Sequence, residues 1–289
     1  MSLRDELFEQ PATIASLIEE QGDEVTRIAA TIRDRGIRWV YLAARGSSDY
    51  AGLYAKYLWG AFNRLPMALA APSLFSVYQT PPDIADALVI GISQSGQSPD
   101  IVSVMTEGRR QGALTLAITN DPSSPLAAES ELVIDLMAGP ELSVAATKTY
   151  TAQLVAVAML SAALAEDDDR WDWLRRLPAL GSELLTLDET VERAAERYRF
   201  MEQSVVLGRG FNYATAFEWA LKLKELAYVI AEPYSSADFQ HGPVAMLERD
   251  FPVLAIAPGG PVFDDTLALL SRLTKDQRVE LLVISDRDE

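Results

Sequence analysis

Residues Arg38–Ser48 read RWVYLAARGSS, and residues Gln203–Asn212 read QSVVLGRGFN. In each, a short apolar run ends on Arg-Gly and gives way to a helical pattern, the order expected of strand, tight turn and helix. Placing Arg45 on Arg209 sets an offset of 164 residues, and at 165 the run Leu88–Ile92 falls near Val253–Ala257 and Leu114–Thr119 near Leu281–Ser285. The chain therefore reads as a diverged duplication. Within each copy, β-rich runs alternate with helical stretches such as Asp100–Gln111 and Phe263–Lys275, the pattern of a parallel sheet covered by helices. The expected fold class is α/β, with two parallel-sheet three-layer domains in tandem.

The expected boundaries are an N-terminal helical segment at 1–30, a first domain at 31–165, a helical connector at 166–200 and a second domain at 201–289. The connector is charged and periodic at helical spacing. The first copy continues past Asn120-Asp121 through a strand at Glu131–Leu136, a Gly-Pro loop and the apolar run Thr151–Ala165. Its counterpart ends at Asp286–Glu289, so the second domain is expected to lack a last strand and helix. Thr151–Ala165 is shorter than the roughly 20 residues of a membrane span and is expected to be a buried helix. The start, MSLRDELFEQP, places acids where a secretory signal has basic and then apolar residues, which points to the cytoplasm.

The 289 residues, 49% hydrophobic and 23% charged, have a globular composition. Twenty-five basic against forty-two acidic side chains give a net charge of −17, which repels nucleic acid and anionic membranes at long range. Neither is an expected partner. The absence of cysteine excludes disulfides, thiolate catalysis and Cys-ligated zinc, and the single histidine leaves little for another metal site. No metal or cofactor is expected.

Ligands of open parallel sheets bind beyond the carboxyl ends of the strands. Gly46-Ser47-Ser48 follows one strand of the first copy, and Ser93-Gln94-Ser95-Gly96-Gln97-Ser98 follows another. Hydroxyls, an amide and flexible glycines leading into helix N-termini suit a phosphate; serine turns that only cap helices are the alternative. The second copy has Pro258-Gly259-Gly260-Pro261 in the corresponding place, so one phosphate site per chain is expected. Lys222 and Glu225 lie three residues apart on one helix face, with Glu218 a turn earlier. That spacing also fits a solvent-facing ion-pair ladder. His241, in FQHGPVAML, is either structural or the chain's one imidazole for acid–base work.

ARGSSDYAG, ISQSGQSPD, GPELSVAATKTYTAQL, EWALKLKELAY and AEPYSSADFQHGPVAML, in this order, resemble the sugar isomerase (SIS) domain family, most closely the isomerase half of the glucosamine-6-phosphate synthases. The likeness runs from about Glu9 to Glu289. It implies that Gly46, Ser47, Ser48, Ser93, Gln94, Ser95 and Ser98 surround the phosphate and that Val144 lines the sugar. It further implies that Glu225 moves a proton between C1 and C2, that His241 assists ring opening from a partner subunit, and that Lys222 stands beside the enediol or enolamine charge. A homodimer with shared sites acting on a small sugar phosphate follows.

The resemblance has departures. Those synthases carry a glutaminase domain with a cysteine nucleophile and a tail with a Schiff-base lysine; neither has a counterpart in this sequence, and Ala146 stands where they have a serine. The expected activity is isomerisation of amino-sugar or ketosamine phosphates, with amination or deamination as variants and without a glutaminase domain. The alternative is a non-catalytic sugar-phosphate-binding regulatory module, in which the LKLKE and QHGP motifs would be dispensable.

Overall fold

Ser2 starts the first helix with a capping box. Its hydroxyl accepts from the Asp5 amide at 3.2 Å, and its own amide donates to the Asp5 carboxylate at 2.7 Å. α1 (Leu3–Phe8) and α2 (Gln10–Asp34) follow, and α2 buries Ile14, Leu17, Val25, Ile28 and Ile32, a spacing that makes one helical face. The computed structural model describes residues 2–287. The chain divides into two compact units, Met1–Asp188 and Glu189–Glu289, with the division inside the stretch read as a connector.

The first unit continues through β1 (Val40–Ala43), α3 (Ser47–Asn63), β2 (Met67–Leu69), α4 (Ser73–Ser76), β3 (Leu88–Ser93) and α5 (Pro99–Gln111). It closes with β4 (Leu114–Thr119), α6 (Pro125–Ala128), β5 (Leu132–Asp135), α7 (Lys148–Ala165) and α8 (Asp168–Leu185). All strand pairs are parallel, in the order β2-β1-β3-β4-β5. Successive side chains of a strand point to opposite faces. Leu42, Ile90 and Leu116 accordingly pack with α2, α3 and α7, while Tyr41, Val89 and Ala117 pack with Phe75, Ile101 and Met105. These are the three layers. Trp59 is fully buried between α3 and α7, with its indole N–H donating to the Val157 carbonyl at 3.1 Å; truncation of such a side chain costs about 3–5 kcal/mol.

α7 is long and apolar enough to cross a membrane, yet 72% of it is buried inside this unit. It is a core helix. α8 packs along α2, so the first half of the stretch read as a connector belongs to the first unit.

The second unit contains α9 (Asp188–Ala195), which begins at the division, then β6 (Gln203–Gly208), α10 (Asn212–Lys222), β7 (Ile230–Ser235), β8 (Pro252–Ile256), α11 (Phe263–Arg272) and β9 (Glu280–Ile284). Its described strands are parallel in the order β7-β6-β8-β9, the order of the first four strands of the other unit. The duplication extends to side chains. Arg45 pairs with Asp100 at 2.6 Å and Arg209 with Asp265 at 3.3 Å, each Arg following the first central strand and each Asp in the first turn of a later helix. Gly208 ends β6 against the next helix, and a Cβ there would stand 2.1 Å from the Asn212 carbonyl oxygen. No other residue fits that approach.

Candidate functional site

The order β2-β1-β3 means that chain direction across the sheet reverses between β1 and β3. This is the switch point beside which open α/β sheets leave a crevice. β1 and β3 are paired in register from Val40 with Leu88 to Ala43 with Gly91. The loops that leave them, 44–47 and 94–98, are therefore neighbours at one sheet edge. These are the two serine segments.

Neither residue at the cap positions of the two helices bonds its helix through a side chain. Gly46 is the residue before α3, at φ 57° and ψ −135°, and Ser98 is the residue before α5; neither helix has a side-chain hydrogen bond at its cap. The two helix N-termini stand at the neighbouring ends of β1 and β3, where their first amides are available to an anion. Ser93 Oγ accepts from the Gly96 amide at 3.1 Å, Ser95 Oγ accepts from the Gln97 amide at 3.3 Å, and the Gln94 carbonyl accepts from the Asn120 amide at 3.1 Å. Gly96 itself has φ 61°, and a Cβ on it would lie 2.1 Å from Ser124 Oγ. Ser48 is buried at the start of α3, where its Oγ accepts from Gln153 Nε2 of α7 at 3.0 Å. Ser47 is half-buried beside it.

Two acids flank this edge. Burial pushes the Asp49 carboxyl up, against the pull of Arg45. Asp100 is held below the usual carboxylate range by hydrogen bonds from Arg45 and then Ser76.

The remaining residue assigned to the sugar, Val144, lies in the same unit on the loop before α7 and is 95% exposed. Glu225, Lys222 and His241 all belong to the second unit. Lys222 ends α10, and its Nζ lies 2.7 Å from Glu225 Oε2 and 3.2 Å from Glu218 Oε1. Glu218 is buried and the other two are half-buried, so this is not a solvent-facing ladder. Glu225 also departs from the expected α-helix, because Leu223–Ala227 is a π turn ending at left-handed Tyr228. Such turns are rare and concentrate at functional sites. His241 is exposed just after a short 3₁₀ turn, Asp238–Gln240, and its amide donates to the Asp238 carbonyl at 2.9 Å. The structure thus joins the residues of the two serine loops in one unit and pairs Lys222 with Glu225 in the other.

The family pattern of the SIS domain matches residues 35–163 and again 201–289. The chain belongs to the SIS domain family. Glutamine–fructose-6-phosphate aminotransferase (isomerizing) of Thermus thermophilus is 34% identical over 98% of this chain and 49% of its own length. The Aquifex aeolicus protein of the same name is 36% identical over 91% of this chain and 44% of its own. The chain thus spans about half the length of these curated relatives. Among solved structures, a chain from Silicibacter pomeroyi DSS-3, provisionally named a phosphosugar isomerase, superposes with a TM-score of 0.92 at 39% identity, covering 98% of this chain and 86% of that one. The C-terminal domain of glucosamine-fructose-6-phosphate aminotransferase from Francisella tularensis gives 0.89 at 29% identity, covering 98% and 82%.

Sequence reasoning passed over several residues that shape the first SIS unit's site. Gln153 orients Ser48, Ser124 walls Gly96, and Glu141 binds the segment that follows it. A glutamine within the apolar run of α7 was the one visible signal, since a buried amide requires a partner.

Proposed function

We propose that this SIS protein is a sugar-phosphate isomerase acting on amino-sugar or ketosamine phosphates in the cytoplasm as a homodimer with shared sites. The observation that supports the phosphate is the placing of two helix N-termini at the β1/β3 switch point, beside the segments that hold Ser47, Ser48, Ser93, Gln94, Ser95 and Ser98. With a net charge of −17, local donors rather than the overall field must attract the anion, which favours a small phosphate ester. The names of the relatives, isomerizing glutamine–fructose-6-phosphate aminotransferases and a protein provisionally named a phosphosugar isomerase, support the substrate class.

The chemistry then falls to the second unit. Glu225 takes a proton from the carbon beside the substrate carbonyl. The C–H electron pair becomes the C1=C2 bond of an enediol or enolamine, and the carbonyl π pair moves onto oxygen. Lys222 stabilises that charge; the proton of the neighbouring hydroxyl passes to this oxygen, and as the new carbonyl forms on the neighbouring carbon the C1=C2 pair takes the proton back from Glu225 at the other carbon, which completes the isomerisation. His241, supplied by the partner subunit, assists opening of the sugar ring. A positioned carboxylate base contributes about 10²–10⁴-fold.

The test is solvent exchange. Incubation with glucosamine 6-phosphate or fructose 6-phosphate in D₂O should place deuterium at C1 or C2. Glu225→Gln should retain binding and lose exchange by about two orders of magnitude. Equal exchange in Glu225→Gln removes this residue from the mechanism, and binding without exchange in the parent assigns the protein to sensing instead.

A further inference from the structure

The loop that carries Val144 is held by three carboxylates, two of which come from the N-terminal helices 130 or more residues earlier in the chain. Glu6 of α1 is fully buried, and its carboxylate accepts from the Leu142 amide at 2.5 Å and from the Ser143 amide at 3.3 Å. Glu9, between α1 and α2, binds the Nζ of Lys148 at 2.5 Å, and Lys148 is itself only 2% exposed. Glu141 closes the loop from within, accepting from the Thr147 amide at 2.8 Å, the Thr147 hydroxyl at 3.1 Å and the Thr149 hydroxyl. Between these anchors Leu142 and Val144 stand 72% and 95% exposed.

Buried charge is a weak source of stability, because desolvation offsets most of what pairing returns. Its better-attested use is to fix one arrangement of the backbone. Burial alone would push the Glu6 carboxyl up, yet the Ser143 hydroxyl, the Leu142 and Ser143 amides and the Lys148 charge together hold it below its ordinary value. It is a permanent anion at neutral pH, presented to two backbone donors of a segment with no sheet or helix to hold it. An apolar side chain projecting from such a segment has a defined position only if the segment has one.

We infer that Glu6 is a positioning residue: by clamping the Leu142 and Ser143 amides it sets Val144 at the sugar end of the site, so that recognition of the sugar, as distinct from the phosphate, depends on α1. This rests on the proposed function and on the place beside the sugar that the SIS resemblance implies for Val144. The phosphate loops are held by other contacts, so the two parts of the ligand should respond differently to loss of the clamp.

Calorimetry with inorganic phosphate and with fructose 6-phosphate separates them, using the full chain and Glu6→Gln, which removes the charge but keeps the shape. Phosphate affinity should stay within about twofold of the parent, while the sugar phosphate should weaken by about tenfold or more, the scale on which small misplacements are felt in preorganised sites. Hydrogen exchange at the Leu142 and Ser143 amides should accelerate without change in β3 and β4. Unchanged sugar-phosphate affinity, or an equal loss for both ligands, overturns the inference. If Glu6→Gln does not fold, Glu141→Gln opens the other end of the same loop and must give the same split. A parent that binds neither ligand overturns the functional reading instead, and there an unchanged exchange rate at Leu142 and Ser143 still overturns the clamp.

Discussion

Replacing Gly96 by alanine tests the shape of the phosphate loop through two separable costs. The residue has φ 61°, and an L side chain in that left-handed region costs about 1–2 kcal/mol. The added Cβ would also lie 2.1 Å from Ser124 Oγ and 2.4 Å from Ser124 Cβ, so Ser124 must move. Ser124 caps α6 by accepting from the Ala127 amide at 3.4 Å, and loss of such a cap costs about 1 kcal/mol. Overpacking against a buried neighbour adds about 1–3 kcal/mol. Gly112 is the internal control. It has φ 84° with nothing within 4 Å of a Cβ, so Gly112→Ala bears the backbone cost alone. The two variants should differ by about 2–4 kcal/mol, which for a unit of this size is a melting difference of about 4–16 °C. Differential scanning calorimetry reads that gap, and titration with inorganic phosphate reads the site. Gly112→Ala should bind phosphate as the parent does, whereas Gly96→Ala should bind at least about tenfold more weakly, since each lost hydrogen bond to a charged group is worth about 1.5–3 kcal/mol. Equal melting of the two variants would refute the Ser124 wall. Parental phosphate affinity in Gly96→Ala would refute the cradle.

Ser93→Ala combined with Ser95→Ala should weaken sugar-phosphate binding by about 1–3 kcal/mol, measured by calorimetry; unchanged affinity counts against the serine assignment. Mixing inactive Glu225→Gln and His241→Ala subunits should regenerate part of the activity if sites are shared, and no recovery in exchanged heterodimers argues that each chain works alone. The depressed Asp100 carboxyl has a pH consequence: its pairing with Arg45 and Ser76 contributes stability that is fully present above the ordinary carboxyl value of 3.8 and is lost as pH falls below it. The melting difference between the parent and Asp100→Asn should therefore be constant from pH 7 to about pH 5 and shrink toward about pH 3, and a difference that grows on acidification contradicts the assignment.

The tandem parallel sheets were legible because β1 and β6 are buried on both faces and read as continuous apolar runs, each leading into Arg-Gly. Two of the four edge strands, β2 and β7, were not. Met67–Leu69 is three residues long, and Ile230–Ser235 contains Pro233, which a sheet tolerates only at its edge. The serine loops could be placed from sequence because they follow recognisable strands. Whether their hydroxyls cap helices could not, since that depends on the cap geometry at Gly46 and Ser98. Spacing put Glu225 on a helix face with Lys222, but the π turn beneath it follows from a shifted hydrogen-bond ladder that residue types do not announce. The Glu6 clamp was invisible because Leu142 lies 136 residues away and contributes only a backbone amide.

The loop after β8, which matches the phosphate loop of the first unit, already has an anion: the Gly259 amide donates to Asp286 Oδ1 at 2.6 Å. A carboxylate tethered to the same fold competes at an effective concentration in the millimolar range or above, against which a dissolved phosphate ester at metabolite levels gains little. Under the proposed function, one phosphate per chain is therefore expected from this tethered carboxylate as well as from the missing serines.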